Sequence, residues 1–293
     1  MPTSASRLSS PLYPVVLLMI AMVSMQGGAA LAKSLFPAVG APGTAALRLL
    51  FSALMLLAYF RPWRLRLAPS GWRLIVAYGL ALGAMNLLFY LSLRTIPLGI
   101  AVALEFTGPL AVALLASRRL ADFGWIALAA AGLLLLVPHG ADIRTLDPAG
   151  MAYALAAGLC WALYIVFGRR AALRHGTHSV ALAACVAAAA VLPFGLAHAG
   201  PGMFAPAILP LAIGVAILSS SLPYALEITV LARMPVRTFG TLLSLEPVFA
   251  ALSGLVFLGE ALTLMQWAAV AAIVAASAGI TAGSRPAPPR QPD

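Results

Sequence analysis

Four ionisable side chains stand inside long apolar runs of this 293-residue sequence: Arg48, Glu105, Glu227 and Glu246. On insertion scales an ionisable group costs about 2.5–3.5 kcal/mol in the middle of a membrane helix. It persists there when it meets an opposite charge, a proton or a focused set of hydrogen bonds. Carboxylates and a guanidinium so placed can hold a charged solute, carry a proton or pair with one another. The same runs hold Gln26, Asn86, Tyr90, Tyr164, Ser220, Ser221 and Tyr224, which can supply hydrogen bonds, and Trp161, which can wall a pocket or simply pack. Pro109 and Pro247 are interior and remove backbone donors, so they are candidate hinges or helix breaks. Pro97, Pro223 and Pro235 are read as boundaries or kinks.

Other chemistries lack their residues. There is no Gly-x-x-x-x-Gly-Lys-[Ser/Thr] phosphate loop, no Gly-x-Ser-x-Gly elbow and no His-Glu-x-x-His site. His175 and His178 stand three apart without further ligands nearby, and His139 and His198 are isolated at run ends. No metal or other cofactor is expected. Cys160 and Cys185 lie in apolar runs and read as small packing residues, not a disulfide framework.

The elements that must position these residues follow from composition. Apolar residues make up 62% of the chain, charged residues 9%, and the mean hydropathy is +1.01. Soluble domains run nearer ~45–50% apolar and ~25% charged. A soluble enzyme, a disordered chain and a disulfide scaffold are excluded; the solvent is lipid. The net charge of +10 sits in short gaps between apolar runs. It is therefore read as an orientation signal and a contact with lipid head groups, with no nucleic-acid partner.

Ten runs are long enough to span: about 12–32, 43–60, 71–93, 97–116, 122–138, 149–168, 178–198, 207–230, 237–258 and 263–283. They are too long and too rich in Ala and Leu for barrel strands. The first exceeds the ~7–15-residue core of a signal peptide and is kept as a span. With the amino terminus in the cytoplasm, cytoplasmic segments hold 14 Lys and Arg and the opposite side holds 3: Lys33, Arg94 and Arg144. Both termini are then cytoplasmic, and the Pro-rich tail 284–293 is expected to be disordered.

Pro97 and Pro109 recur as Pro235 and Pro247 at an offset of 138 residues. The same offset lays run 1 on run 6, run 4 on run 9, Val23 on Trp161 and Gln26 on Tyr164. Five spans per unit is odd, so the second unit enters the membrane inverted. The expected fold is an all-α polytopic membrane protein of ten helices, arranged as two inverted five-helix repeats over 12–138 and 149–283. In that frame Glu105 lies about eight residues, or ~12 Å, into run 4 from the outer side. Arg48 lies at a similar depth in run 2, so the two can meet. Glu246 is about nine residues into run 9 from the cytoplasmic side, and Glu227 is near the cytoplasmic end of run 8. Lys33 and Glu260 stand at run ends, where snorkelling to water is ordinary. Gly79 and Gly83 form a Gly-x-x-x-Gly pair, read as packing within the bundle; it leaves the oligomeric state open.

The late Glu246–Phe249 and Leu258–Glu260 motifs, on ten spans as five plus five, resemble the EamA-type drug/metabolite transporter superfamily. Within it, a longer likeness is to the bacterial threonine/homoserine exporters of the inner membrane. It is carried by Gln26-Gly-Gly-Ala, Lys33-Ser-Leu-Phe-Pro, Gly40-Ala-Pro-Gly, Ala46-Leu-Arg48-Leu and Pro62-Trp-Arg-Leu-Arg. The stretch from Ile96 through Glu105 to Leu114, Ala216-Ile-Leu-Ser, Leu222-Pro-Tyr and Arg237-Thr-Phe-Gly-Thr-Leu extend it. The resemblance implies an exporter of small amino acids, coupled to protons and working by alternating access. A zwitterionic substrate brings an ammonium and a carboxylate into the membrane. Glu105 would then hold the ammonium or carry the coupling proton, and Arg48 would receive the carboxylate. The alternatives are a structural Arg48–Glu105 pair, another metabolite or drug as substrate, an intramembrane enzyme, or a scaffold.

Overall fold

A computed structural model describes residues 12–61, 69–115, 121–136, 146–176, 178–231, 233 and 236–283. The expected tail, Ser117, Arg118, Arg119, His139, Arg144, Pro235 and the Tyr224 side chain lie outside the described residues.

All regular structure among the described residues is helical, and each of the ten apolar runs lies on helix. The helices are α1 (Leu12–Lys33), α2 (Phe36–Phe60), α3 (Pro69–Ser92), α4 (Leu98–Glu105), α5 (Thr107–Leu115), α6 (Ala121–Leu136), α7 (Pro148–His175), α8 (His178–Ala199), α9 (Leu209–Ala216), α10 (Leu222–Leu231), α11 (Val236–Leu243), α12 (Glu246–Leu258) and α13 (Leu264–Gly283). A 3₁₀ turn follows α8 at Pro201–Phe204, and a π turn joins α9 to α10 at Ile217–Ser221. Among the described residues, six helical segments are long and apolar enough to cross a membrane: Leu12–Lys33, Phe36–Phe60, Gly71–Ser92, Pro148–His175, His178–Ala199 and Thr238–Leu258. Shorter apolar helices cover Leu98–Val112, Phe123–Leu135, Leu209–Ser221 and Leu264–Gly279.

Proline chemistry explains where the runs are interrupted. A proline at position i has no N–H for the carbonyl of i−4. Pro109 thus leaves the Glu105 carbonyl unbonded within its helix, and α4 gives way to α5 at Phe106. Pro247 does the same to Leu243, where α11 ends. The sequence reading expects both breaks. A third falls at Pro223, read as a boundary or kink: it is interior to its run, and the helix before it opens into the π turn, with the Leu222 N–H reaching back to Ile217. The second run also starts earlier than expected, at Phe36, with non-helical backbone at Gly40 ahead of Pro42.

The core is built largely from alanine. Ala21, Ala45, Ala46, Ala101, Ala103, Ala154, Ala157 and Ala187 are fully or almost fully buried. Small residues let helices approach closely, which is the main packing device where lipid removes the hydrophobic drive between helices. Gly79 serves it directly: a Cβ there would strike Val186 and the Ala183 carbonyl, so α3 lies tightly on α8. Large apolar side chains face outward instead, among them Leu115, Leu173, Val256 and Leu264. A water-facing surface of that kind is untenable, and a lipid-facing one is ordinary.

Helices of the first half pack chiefly on helices of the second. α1 lies against α10 and α12, α2 against α8, α3 against α7 and α8, α4 against α12, α5 against α7, and α6 against α13. Any group held in the middle is therefore held by both halves.

Candidate functional site

Arg48, on α2, is partly buried among neutral acceptors. Its Nε donates to the Ser219 hydroxyl at 2.7 Å and its Nη2 to the Ser219 carbonyl at 3.0 Å. Its Nη1 donates to Asn86 Oδ1 on α3. The orientation of Asn86 is set by its own amide, which donates to the Leu82 carbonyl at 2.9 Å. The Tyr90 ring, one turn further along α3, lies under the guanidinium, 5.7 Å from its carbon. Cation–π attraction adds to the hydrogen bonds in holding the group in place.

Glu105 is the last residue of α4 and is 7% exposed. It lies within electrostatic reach of both Arg48 and Glu246. Glu246 opens α12, is 4% exposed, and accepts a hydrogen bond from Gln26 Nε2 on α1 at 2.8 Å. Its place in the first turn of a helix suits a carboxylate, because unpaired N–H groups gather there. Glu227, on α10, is in turn within reach of Glu246. The three carboxylates thus form a series through the molecule. Among the described residues, Gln26 Oε1, Ser52 Oγ and the Tyr90 hydroxyl are buried polar atoms without a hydrogen-bond partner.

The direct contact of Arg48 with Glu105 that their similar depths allow is not made. The only ion pair among the described residues joins Lys33 to Glu260, N to O at 2.5 Å. This corrects the snorkelling expectation for both. Glu260 also accepts the Leu98 backbone N–H at 2.7 Å, so one carboxylate ties the end of α1 to the start of α4 from the loop after α12. Its partner lies in the other half by sequence, not at a symmetry-matched position.

The comparisons with known proteins agree with this architecture. A sequence model described as the EamA-like transporter family matches residues 148–282. The threonine/homoserine exporter RhtA of Escherichia coli strain K12 is 55% identical over 268 residues, 92% of this chain and 91% of that one. RhtA of Salmonella typhimurium strain LT2 is 55% identical over 282 residues, 96% of this chain and 95% of that one. The chain belongs to the EamA-like transporter family. A solved structure described as "Crystal structure of protein" shares the fold, with a TM-score of 0.62 and 22% identity over 92% of this chain and 96% of its own. This EamA-like protein is therefore a multi-pass membrane transporter and not an enzyme.

The transporter's other expected site residues divide. Gln26, Asn86 and Tyr90 join the cluster around Arg48 and Glu246. Trp161 packs edge-on against Phe106, the residue at the α4–α5 break, with ring centroids 5.4 Å apart. Tyr164 instead packs at a tilt against Tyr78, ring centroids 5.0 Å apart, in a separate cluster with Ile75 and Ala171. The Ser221 hydroxyl turns to Met55 Sδ at 3.0 Å, and Ser220 is partly buried. Ser219 is the residue that sequence reasoning missed. The signal was present: Pro223 lies four residues downstream and frees the Ser219 carbonyl.

Proposed function

We propose that this EamA-like transporter exports small amino acids of the threonine and homoserine class, in exchange for protons, across the inner membrane. Arg48 carries this reading: it is a permanent cation inside the bundle whose hydrogen-bond partners are all neutral. Its charge is oriented but uncancelled, which is what a substrate carboxylate requires. Glu105 and Glu246 would receive the ammonium or the coupling proton, and Glu227 would extend the proton path towards the cytoplasm. The substrate class rests on the 55% identity to the RhtA exporters.

Ten spans in two inverted five-helix units, 12–138 and 149–283, with both termini cytoplasmic, suit this function. In support, exchanging the two halves maps several helix pairings onto one another: α1 on α10 becomes α7 on α3, and α1 on α12 becomes α7 on α5. Rocking of one unit against the other about the breaks at Pro109 and Pro247 would alternate access to the midplane.

The test uses purified protein in proteoliposomes containing a pH dye. A homoserine or threonine gradient is imposed and proton counter-movement recorded, with unrelated metabolites as controls. Counter-movement with homoserine or threonine is expected. Movement with another solute only would discard the substrate class, and silence with every solute in folded protein would discard proton coupling.

A further inference from the structure

We infer that Ser219 is the positioning residue for Arg48, and that Pro223 makes it one; the inference rests on the proposed role of Arg48 as carboxylate receptor. A guanidinium carries five N–H donors in a planar fork. Nε and Nη2 are both taken by a single residue, through the hydroxyl and the carbonyl of Ser219. This is the two-pronged grip that a carboxylate normally gives an arginine, delivered here without charge.

Each prong has a cause in the sequence. In an unbroken α-helix the Ser219 carbonyl would accept the N–H of residue 223. That residue is proline and has none. The carbonyl is left for Arg48, and the chain opens into the π turn over Ile217–Ser221. The hydroxyl is aimed as well: it donates to the Val215 carbonyl at 2.7 Å, leaving its lone pairs to Arg48 Nε. From the other side α1 braces the turn. Ser24 donates to the Leu218 carbonyl at 2.8 Å, and Gly28 presses so near that a Cβ would lie 2.7 Å from the Ser219 nitrogen. With Asn86 on Nη1, three of the five donors are committed to neutral acceptors and two remain for a carboxylate. The substrate group selected is thus a carboxylate, read by a fork whose plane Ser219 fixes.

The experiment measures homoserine transport against concentration in proteoliposomes for the parent protein, Ser219→Ala, Ser219→Thr and Pro223→Ala. Homoserine amide, which lacks the carboxylate, serves as competitor. Loss of one prong to a charged group is expected to raise KM about tenfold in Ser219→Ala and in Pro223→Ala, with the maximal rate within about twofold. Ser219→Thr keeps the hydroxyl and should restore KM to within about twofold of the parent. Preference for homoserine over its amide should fall in parallel with the KM change, a readout that a merely structural defect leaves alone. Should Ser219→Ala fail to fold, Pro223→Ala, which leaves the hydroxyl in place, makes the same test. Unchanged KM and unchanged preference in the folded variants would overturn the inference, as would a fall in maximal rate alone. A parent protein that moves neither homoserine nor threonine would overturn the substrate reading beneath it, before any variant is compared.

Discussion

Lys33 and Arg48 are cations on neighbouring helices, and the molecule treats them in opposite ways. Lys33 meets a full negative charge on Glu260, with the two side chains 20% and 16% exposed. Arg48 donates its hydrogen bonds only to the neutral oxygens of Asn86 and Ser219, although Glu105 is close enough to feel its field. A direct pair largely cancels its own field and leaves nothing for a third party to bind. A cation held by neutral dipoles keeps its charge. The first arrangement is a clasp between elements; the second is what a binding group for an anion looks like. The carboxylates follow the same division. Glu260 is paired and also holds the Leu98 N–H, whereas Glu246 has the neutral Gln26 amide.

Removing the uncancelled charge should have the largest effect on transport. Arg48→Met is expected to lower kcat/KM for homoserine by about a hundredfold, the worth of two charge-assisted hydrogen bonds. Arg48→Lys keeps the charge but loses the planar fork, and should still lose about tenfold or more. Near-normal kinetics in Arg48→Met would place the cation among structural groups beside Lys33 and dissolve the contrast.

The proposed proton carriers come next. Glu105→Gln and Glu246→Gln are each expected to slow pH-driven export by about tenfold or more. Substrate-for-substrate exchange, which needs no net proton movement, should persist in at least one of them. A variant that keeps full pH-driven transport has lost its claim to the coupling site.

The clasp should respond in stability and not in substrate affinity. Lys33→Met and Glu260→Gln are each expected to cost about 1–2 kcal/mol, between the values typical of exposed and buried pairs. Thermal unfolding in detergent would register this as a few degrees, while homoserine KM stays within about twofold. Glu260→Ala should cost more than Glu260→Gln, because it also orphans the Leu98 N–H. A large KM change in Lys33→Met would mean that the clasp contributes to binding or gating.

Much of this was legible in the sequence because lipid simplifies the reading. Apolar length gives helices, and Pro109 and Pro247 gave breaks, since a missing N–H acts locally. Gln26, Asn86 and Tyr90 were recognisable as polar groups in places where polarity is costly. What was not legible depends on distant packing. The partner of Lys33 is 227 residues away, and span-end position alone pointed to water. Arg48 and Glu105 share a depth, but depth says nothing about the angle around a helix axis, and Ser219 took the side of the guanidinium that a depth argument left open. Tyr164 fell on the far side of the same uncertainty, against Tyr78.

The smallest effect concerns a carboxylate that works at a helix end, and it extends the contrast to the surface. Asp147 caps α7, accepting the N–H groups of Ala149 and Gly150 at 3.2 and 3.1 Å. A hydrogen bond from the Thr95 hydroxyl, together with those two backbone donors, holds its carboxyl below the usual range. A folded-state value below the unfolded one means the contribution is fully present above the unfolded carboxylate pKa, about 3.9. It is lost as the pH falls through the folded value. Asp147→Ala should therefore lower the Tm by about 2 °C at pH 7, and by the same amount at pH 5.5. As the pH falls from about 4 into strong acid the two proteins should converge. Homoserine KM should not change at any of these pH values, because Asp147, like Glu260, has its hydrogen-bonding capacity engaged by the protein itself. A gap in Tm that persists under strong acid would show that the neutral side chain caps the helix as well as the charged one, and that charge at this position, unlike at Arg48, does nothing.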